Sequence, residues 1–288
     1  MFPERYERQI IIPGFGEKAQ DRLSKASVVI LGLGGLGSVV SIYLTVAGIG
    51  YMRLVDIDKV EESNLNRQIL YDEKDIGKWK AEIAEKKLRD VNSGIDIEGL
   101  REEVNNSNIY DLIDDVDLVI DCLDNFETRF VVNKAVVDLE KPMIHGACRG
   151  FSGQVTTIIP RKTPCLKCVF RGNIYGKDKS IIGTTAGVIG LIEATEAIKY
   201  VTKIGNLLAG TMLVYDARDL VFEKIEIEIE IEEKSTIKDV MRKLIERYPK
   251  LREIENTTLY SLNHRYAKGN EELKDGDELA IFPPVEGG

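Results

Sequence analysis

The chain is 288 residues long, with a formal charge of −9 and a pI near 5.1; 30% of its residues are charged and 43% hydrophobic. That balance describes a globular protein with material for one large domain or two smaller ones, and an acidic chain offers no general nucleic-acid surface. The four cysteines, Cys122, Cys148, Cys165 and Cys168, are too few for a disulfide framework, and Met1–Arg5 shows no apolar leader, so a reducing, cytoplasmic setting is expected.

The N-terminus reads as a short helix, a Pro13-Gly14 turn and a second helix, with Arg5 and Arg8 spaced to share one helical face. From Ala26 to Met52 no residue is charged, a run long enough to span a bilayer. Glycines at 32, 34, 35, 37, 48 and 50 interrupt it, and a strand–turn–helix unit explains them better than a membrane span. Val28–Gly37 is a buried strand entering a G-x-G-x-x-G turn, and Ser38–Ala47 is the helix that follows. Glycines Gly32, Gly34 and Gly35 let the backbone approach a phosphate, and the helix start presents unpaired N–H groups to it. Asp56 ends the next strand, Tyr51–Val55, where an acid can hydrogen-bond a ribose. A ribose and phosphates are expected here, and this loop alone favours NAD or FAD.

Beyond Asp56, the residues Asp58, Ser63, Asn64, Arg67 and Gln68 crowd a segment without apolar period, past the carboxyl end of a strand, where open α/β sheets place ligands. Arg67 offers a planar fork for phosphate oxygens, and Lys80 stands at the start of a charged helix running to Val91. Asp96–Arg101 and Val116–Asp121 read as strands, the second ending in Cys122-Leu123-Asp124-Asn125. Asp121 and Asp124 are therefore candidate Mg²⁺ ligands, since Mg²⁺ takes one or two carboxylates plus substrate phosphates. Phe126–Leu139 reads as a helix, with strands at Pro142–His145 and Gly153–Ile159; His145 is read as a packed histidine rather than a base. The β/α alternation predicts a doubly wound, mostly parallel α/β sheet.

Pro164-Cys165-x-x-Cys168 is half of a zinc pattern, with no later cysteine and only His264 beyond it. A half-site, a disulfide or two idle thiols remain open. Thr184–Tyr200 reads as a buried helix, Thr211–Tyr215 as a strand, and Val221–Ile231 as one long strand of strict period 2 with an apolar face. From Ser235 the texture changes to a small α+β unit of β-grasp type: a helix Thr236–Tyr248, strands Thr258–Leu262 and Glu278–Phe282, and a Pro-stiffened tail ending in Gly287-Gly288. Such a tail, having no Cβ at its end, can thread a narrow channel.

Taken together, Arg5-Tyr6-x-Arg8-Gln9-Ile10, GLGGLG at 32–37, Asp56-Ile57-Asp58, Ser63-Asn64-Leu65-Asn66-Arg67-Gln68, Lys80 and Asp121-Cys122-Leu123-Asp124-Asn125 resemble the ThiF/MoeB family, adenylating enzymes related to ubiquitin-activating enzymes. The resemblance spans roughly residues 3–225. Leu273-Lys274-Asp275-Gly276-Asp277-Glu278 and Phe282-Pro283-Pro284-Val285-x-Gly287-Gly288 resemble the MoaD-type sulfur carrier, the small ubiquitin-like subunit of molybdopterin synthase. The implied organisation is an adenylation domain at 1–224 fused to a ubiquitin-like domain at 225–288.

The resemblance implies ATP at Gly32, Gly34 and Gly35, with Asp56 on the ribose and Asp58, Ser63, Asn64, Gln68 and Asn125 around the nucleotide. Arg67 and Lys80 would neutralise phosphate charge, Asp124 would hold Mg²⁺, and Arg8 would act in trans across a homodimer. The Gly288 carboxylate would be adenylated, and a sulfur donor protein would convert it to a thiocarboxylate, in molybdopterin synthesis and with the large subunit of molybdopterin synthase as a possible partner. No nucleic-acid or membrane partner is implied. The chain departs from the pattern at the missing second C-x-x-C, which leaves zinc on Cys165 and Cys168 doubtful. It departs again at 178–182, where many relatives carry a cysteine and this chain has Asp178-Lys179-Ser180-Ile181-Ile182. Two alternatives stay open: activation of a separate carrier with the fused domain as a docking or inhibitory module, and an NAD-dependent oxidoreductase.

Overall fold

The computed structural model describes residues 2–170, 180–227, 231, 233–247, 249–253, 258–263, 265–274, 276–277 and 279–282. The chain forms two compact units, Met1–Glu228 and Ile229–Gly288. In the first, helices α1 (Glu7–Ile10) and α2 (Gly16–Lys25) precede strand β1 (Ser27–Leu31), helix α3 (Gly35–Ala47), β2 (Tyr51–Val55), α4 (Lys80–Val91), β3 (Asp96–Leu100), α5 (Ile109–Ile113), β4 (Leu118–Asp121) and α6 (Phe126–Asp138). Next come β5 (Met143–Arg149), β6 (Ser152–Ile158), α7 (Leu166–Val169), α8 (Gly183–Thr202), β7 (Thr211–Asp216) and β8 (Val221–Glu226).

These strands make one eight-stranded sheet in the order β3-β2-β1-β4-β5-β6-β7-β8. From β3 to β5 the pairing is parallel, and from β5 to β8 it is antiparallel. Strand β1 lies between β2 and β4, so the chain leaves it on one side and returns on the other. That is a topological switch point, where such sheets open a crevice at their carboxyl ends.

Period 2 explains the unbroken apolar run of β1. Val28 and Ile30 face a layer with Leu44, Ile189 and Ala197, whereas Val29 and Leu31 face Ile109, Ile113, Val132 and Val136. With both faces covered, no polar position is left in the strand. No helix among the described residues is long and apolar enough to cross a membrane; the uncharged run is divided between β1, α3 and β2.

The second unit packs Ile237, Val240, Met241 and Ile245 of α9 (Ile237–Arg247) against Tyr260, Ala267 and Leu273. Its described sheet is antiparallel, in the order β10-β9-β11, with β9 at Leu259–Leu262, β10 at Arg265–Ala267 and β11 at Leu279–Phe282.

Three expectations need correction or completion. The strand expected over Val221–Ile231 is β8 only as far as Glu226, and residues 228–230 lie outside the described ones. Its alternating apolar side chains are not buried: Val221, Phe222 and Ile225 are exposed, because β8 is a sheet edge, and Phe222 is stacked on Tyr215 at 4.6 Å. Alternation marks a strand, but it does not say what covers it. Short elements α5, α7 and β10 were not legible, since three to five residues carry too little period.

The loop depends on missing Cβ atoms. A Cβ on Gly37 would stand 2.0 Å from the Gly32 carbonyl oxygen, whereas one on Gly34 would meet only Gln68 Nε2 at 3.6 Å. Gly37→Ala is expected to cost about 3 kcal/mol of stability in a denaturant titration, while Gly34→Ala folds with nearly the parental midpoint.

Candidate active site

The glycine loop is held by its neighbours rather than by its own residues. Gly32 takes φ +90°, and a Cβ there would meet the Cys122 carbonyl oxygen at 2.8 Å, so the loop passes directly over the end of β4. Leu33 N–H donates to Asp56 Oδ2 at 2.7 Å, and the buried Tyr71 hydroxyl donates to Leu33 O at 3.1 Å. With both polar groups of Leu33 engaged, α3 begins at Gly35 with its first N–H groups at the crevice.

Asp56 stands immediately past the end of β2. Its other oxygen accepts from Asp58 N–H at 2.7 Å. Burial raises its pKa, opposed by the nearby Lys80 charge and the backbone N–H groups of Leu33 and Asp58. Lys80 opens α4 with its side chain buried and its ammonium 3.0 Å from Asp58 Oδ2. Arg67 lies across the loop: its Cγ and Cδ are 3.5 and 3.7 Å from a Cβ placed on Gly35, and its Nη1 donates to Ser63 O and Asn66 Oδ1. Asn64 and Gln68 are buried beneath this segment. Asn64 closes a capping box with Glu61, Ser63 Oγ donates to Glu61, and Gln68 Oε1 has no hydrogen-bond partner among the described residues. Gly32, Gly34, Gly35, Asp56, Asp58, Arg67, Gln68 and Lys80 therefore border one crevice.

The aspartate that ends β4 and the one just beyond it differ. Asp121 is fully buried, pairs with His145 Nδ1 at 2.7 Å and faces Arg129 Nε at 3.4 Å. Burial alone would raise its pKa, but Arg129 and the His145 hydrogen bond hold it below the ordinary carboxylate value. It is therefore occupied, which corrects the expectation that it could bind metal. His145 is held below the usual histidine value by burial, and packs edge-on against Phe170 at 5.7 Å. Asp124, by contrast, is exposed at the crevice rim. Asn125 is the cap of α6, its Oδ1 accepting from Thr128 N–H at 2.8 Å, so half of its amide serves the fold.

Two residues missed in the sequence organise this floor. Arg129 donates Nη2 to Leu123 O and, at 2.8 Å, to Gly146 O, which ties the turn carrying Asp124 to β5. Glu193 of α8 is completely buried, close against Gly146 and with Cys122 Sγ 3.8 Å away. Burial, reinforced by the charge of Asp121 and opposed by that of Arg129, raises its pKa well above the usual value, which favours the protonated acid. The available signal was a pair of carboxylates, Glu193 and Glu196, within the largely apolar stretch 184–200.

Cys165 and Cys168 are reduced, with sulfurs 3.5 Å apart. Cys122 is buried under the loop and Cys148 is half-buried on β5, its thiol pushed up to about 11 by burial. No group of three metal-binding side chains occurs among the described residues, and the chain's only other imidazole, His264, lies outside them. The donor set does not fit a tetrahedral zinc. Gly287 and Gly288 also lie outside the described residues. Arg8 sits away from this crevice: its neighbour Gln9 donates to Ala47 O, at the far end of α3, which rises about 20 Å over its 13 residues.

Comparison with known proteins gives two family matches: the ThiF family over residues 6–235 and the ThiS family over residues 215–288. The chain is 39% identical over 235 residues to a sulfur carrier protein adenylyltransferase of Thermus thermophilus, covering 78% of this chain and 87% of that one. It is 37% identical over 228 residues to a SAMP-activating enzyme E1 of Haloferax volcanii, covering 77% and 84%. Among solved structures it is similar to E. coli MccB determined with ATP, at a TM-score of 0.72 and 25% identity over 80% of this chain and 72% of that one.

The raised pKa of Glu193 makes stability depend on pH. Its folded pKa is raised, so its contribution is fully present below about 4.5 and declines as pH rises, when the unfolded chain alone releases the proton. Glu193→Gln, which keeps the shape without the proton, should melt close to the parent at pH 4 and progressively above it from pH 5 to 8. Melting curves across that range check the sign.

Proposed function

The chain belongs to the ThiF family, and from that premise we propose that it adenylates the carboxylate of a ubiquitin-like sulfur carrier, its own Gly288 being the substrate. The observation that carries the reading is the convergence of a glycine loop, a buried lysine and an arginine on one crevice, in a chain whose C-terminal 74 residues, 215–288, match a sulfur-carrier family. The adenylyltransferase relatives, and a fold shared with a protein seen with ATP, favour ATP over NAD as the ligand of the loop.

The chemistry follows from the charges. A carboxylate is a poor electrophile; attack of its oxygen on the α-phosphorus of ATP forms an acyl–phosphate bond and expels pyrophosphate. No base is needed, because the nucleophile is already ionised, so the protein supplies position and electrostatic stabilisation. The N–H groups opening α3 would receive phosphate oxygens, Asp56 the ribose, and Arg67 and Lys80 the charge that develops on pyrophosphate; Ser63, Asn64, Gln68 and Asn125 would shape the pocket. Lys80 would exchange its Asp58 partner for a phosphate. Asp124, exposed at the rim, suits a Mg²⁺ that takes most of its other ligands from phosphates and water. Bound there, Mg²⁺ would neutralise phosphate charge. A sulfur donor protein then displaces AMP to leave a thiocarboxylate.

We further propose a homodimer. Arg8 cannot serve the crevice of its own chain, and the neighbouring surface is apolar and exposed: Tyr43 at 46%, Val46 at 44%, Ile11 at 63% and Ile12 at 52%. A second copy on this face would bring Arg8 to the opposite nucleotide. Residues 1–224 are assigned to adenylation and 225–288 to the carrier, with a cytoplasmic setting and molybdopterin synthesis, through the large subunit of its synthase, as the destination.

ATP–pyrophosphate exchange tests these roles. Lys80→Ala, Arg67→Ala and Asp124→Ala should each lower exchange by about two orders of magnitude. Deleting Gly287 and Gly288 should abolish it unless a carrier is added; persistence without carrier would sink the claim that this tail is the substrate. Mixing Arg8→Ala with Lys80→Ala chains should restore roughly a quarter of parental exchange, since half the dimers then hold one intact site. No restoration refutes action in trans.

A further inference from the structure

Adenylation leaves one motif without a task, the C-x-x-C of Cys165 and Cys168. Zinc does not account for it, because four donors are needed and the two remaining thiols, Cys122 and Cys148, are placed on β4's end and on β5. What the structure holds is two reduced thiols 3.5 Å apart, with Cys168 exposed. A disulfide needs an S–S distance of about 2.05 Å, so closure asks for a movement of only about 1.5 Å.

We propose that Cys165 and Cys168 are a redox-active dithiol that closes to a disulfide by exchange with an external disulfide, and that closure is transmitted to the turn carrying Asp124. In the first step Cys168, as thiolate, attacks the external disulfide and expels one thiolate. Cys165 then attacks Cys168 Sγ and expels the second. Two protein thiols are oxidised, one external disulfide is reduced to two thiols, and the two protons pass to the leaving groups.

The route of transmission is short. Leu166 N–H, the residue after Cys165, donates to Asn133 Oδ1 of α6 at 2.7 Å within the core. Phe170, two residues after Cys168, packs edge-on against Phe126 at 5.3 Å and against His145 at 5.7 Å. Phe126 begins α6, two residues after Asp124, and the Arg129 guanidinium lies over its ring at 5.1 Å. Cys165 caps the N-terminus of the four-residue α7 and Cys168 lies within it, so drawing the sulfurs together acts on a helix whose two ends, Leu166 and Phe170, are fastened to α6.

The test uses the full chain. After incubation with oxidised glutathione, denaturation and iodoacetamide, the reduced protein should take up four alkyl groups and the oxidised protein two, with a linked 165–168 peptide; Cys168→Ser should lose the link. Full alkylation after oxidant overturns the dithiol, as does zinc retained against a chelator at one per chain or one per two chains. The coupling rests on the nucleotide reading and has its own readout. The rise in melting temperature caused by ATP should be smaller in oxidised than in reduced protein, and the same under both conditions in the Cys165→Ser, Cys168→Ser double variant. An equal rise in oxidised and reduced protein overturns the coupling. No rise in either refutes nucleotide binding instead, while the alkylation count still decides the dithiol.

Discussion

The crevice depends on a contact between backbones. Gly37 is pressed against the carbonyl of Gly32, and Gly32 against the carbonyl of Cys122, at distances that leave no room for a Cβ. This packing joins the end of β1 to the end of β4 and sets where α3 begins. Asp56 and Tyr71 then hold Leu33 from opposite sides, so that β2 and the 62–71 segment are fastened to the same loop. Residues from four separate parts of the sequence acquire fixed positions because one turn is too tight for side chains.

Around that turn, environment sorts acidic residues into different kinds of group. Asp121 and Glu193 are both completely buried on the floor of the crevice, yet they shift in opposite directions. Arg129 and the His145 hydrogen bond hold Asp121 below the usual carboxylate range; burial and the like charge of Asp121 push Glu193 up, against the weaker opposing effects of Arg129 and Cys122. Ionising both without further cations would leave an uncompensated charge in the core, which is costly. Asp124 escapes this constraint because it lies past the end of the strand, exposed, with Asn125 Nδ2 donating to its Oδ1 at 3.4 Å.

The hairpin of β7 and β8 shows a limit of sequence reading. Both family matches include residues 215–235, and the alternation of Val221–Ile231 suits a strand in either setting. The structure pairs β7 with β6 and β8 with β7, which gives this hairpin to the large sheet up to Glu226. Period 2 records that one side of a strand differs from the other; it does not record which sheet supplies the neighbour.

The sequence by itself determined the sheet class, the glycine turn, the helix start at Lys80, and the gathering of Arg67, Lys80 and Asp56 beyond strand ends. Each of these is written in local spacing: an unbroken apolar strand, glycines where backbones meet, and polar residues clustered at a carboxyl edge. The helix expected from Ser38 begins three residues earlier, at Gly35. Only the tertiary structure decided that Asp121 is spent on His145 and Arg129, that Asn125 is a helix cap, that Arg129 and Glu193 build the floor, and that Arg8 stands at the wrong end of α3 for its own crevice. Those outcomes depend on contacts between residues far apart in the chain, and on the charge and solvent that packing leaves around each group. No local pattern encodes either.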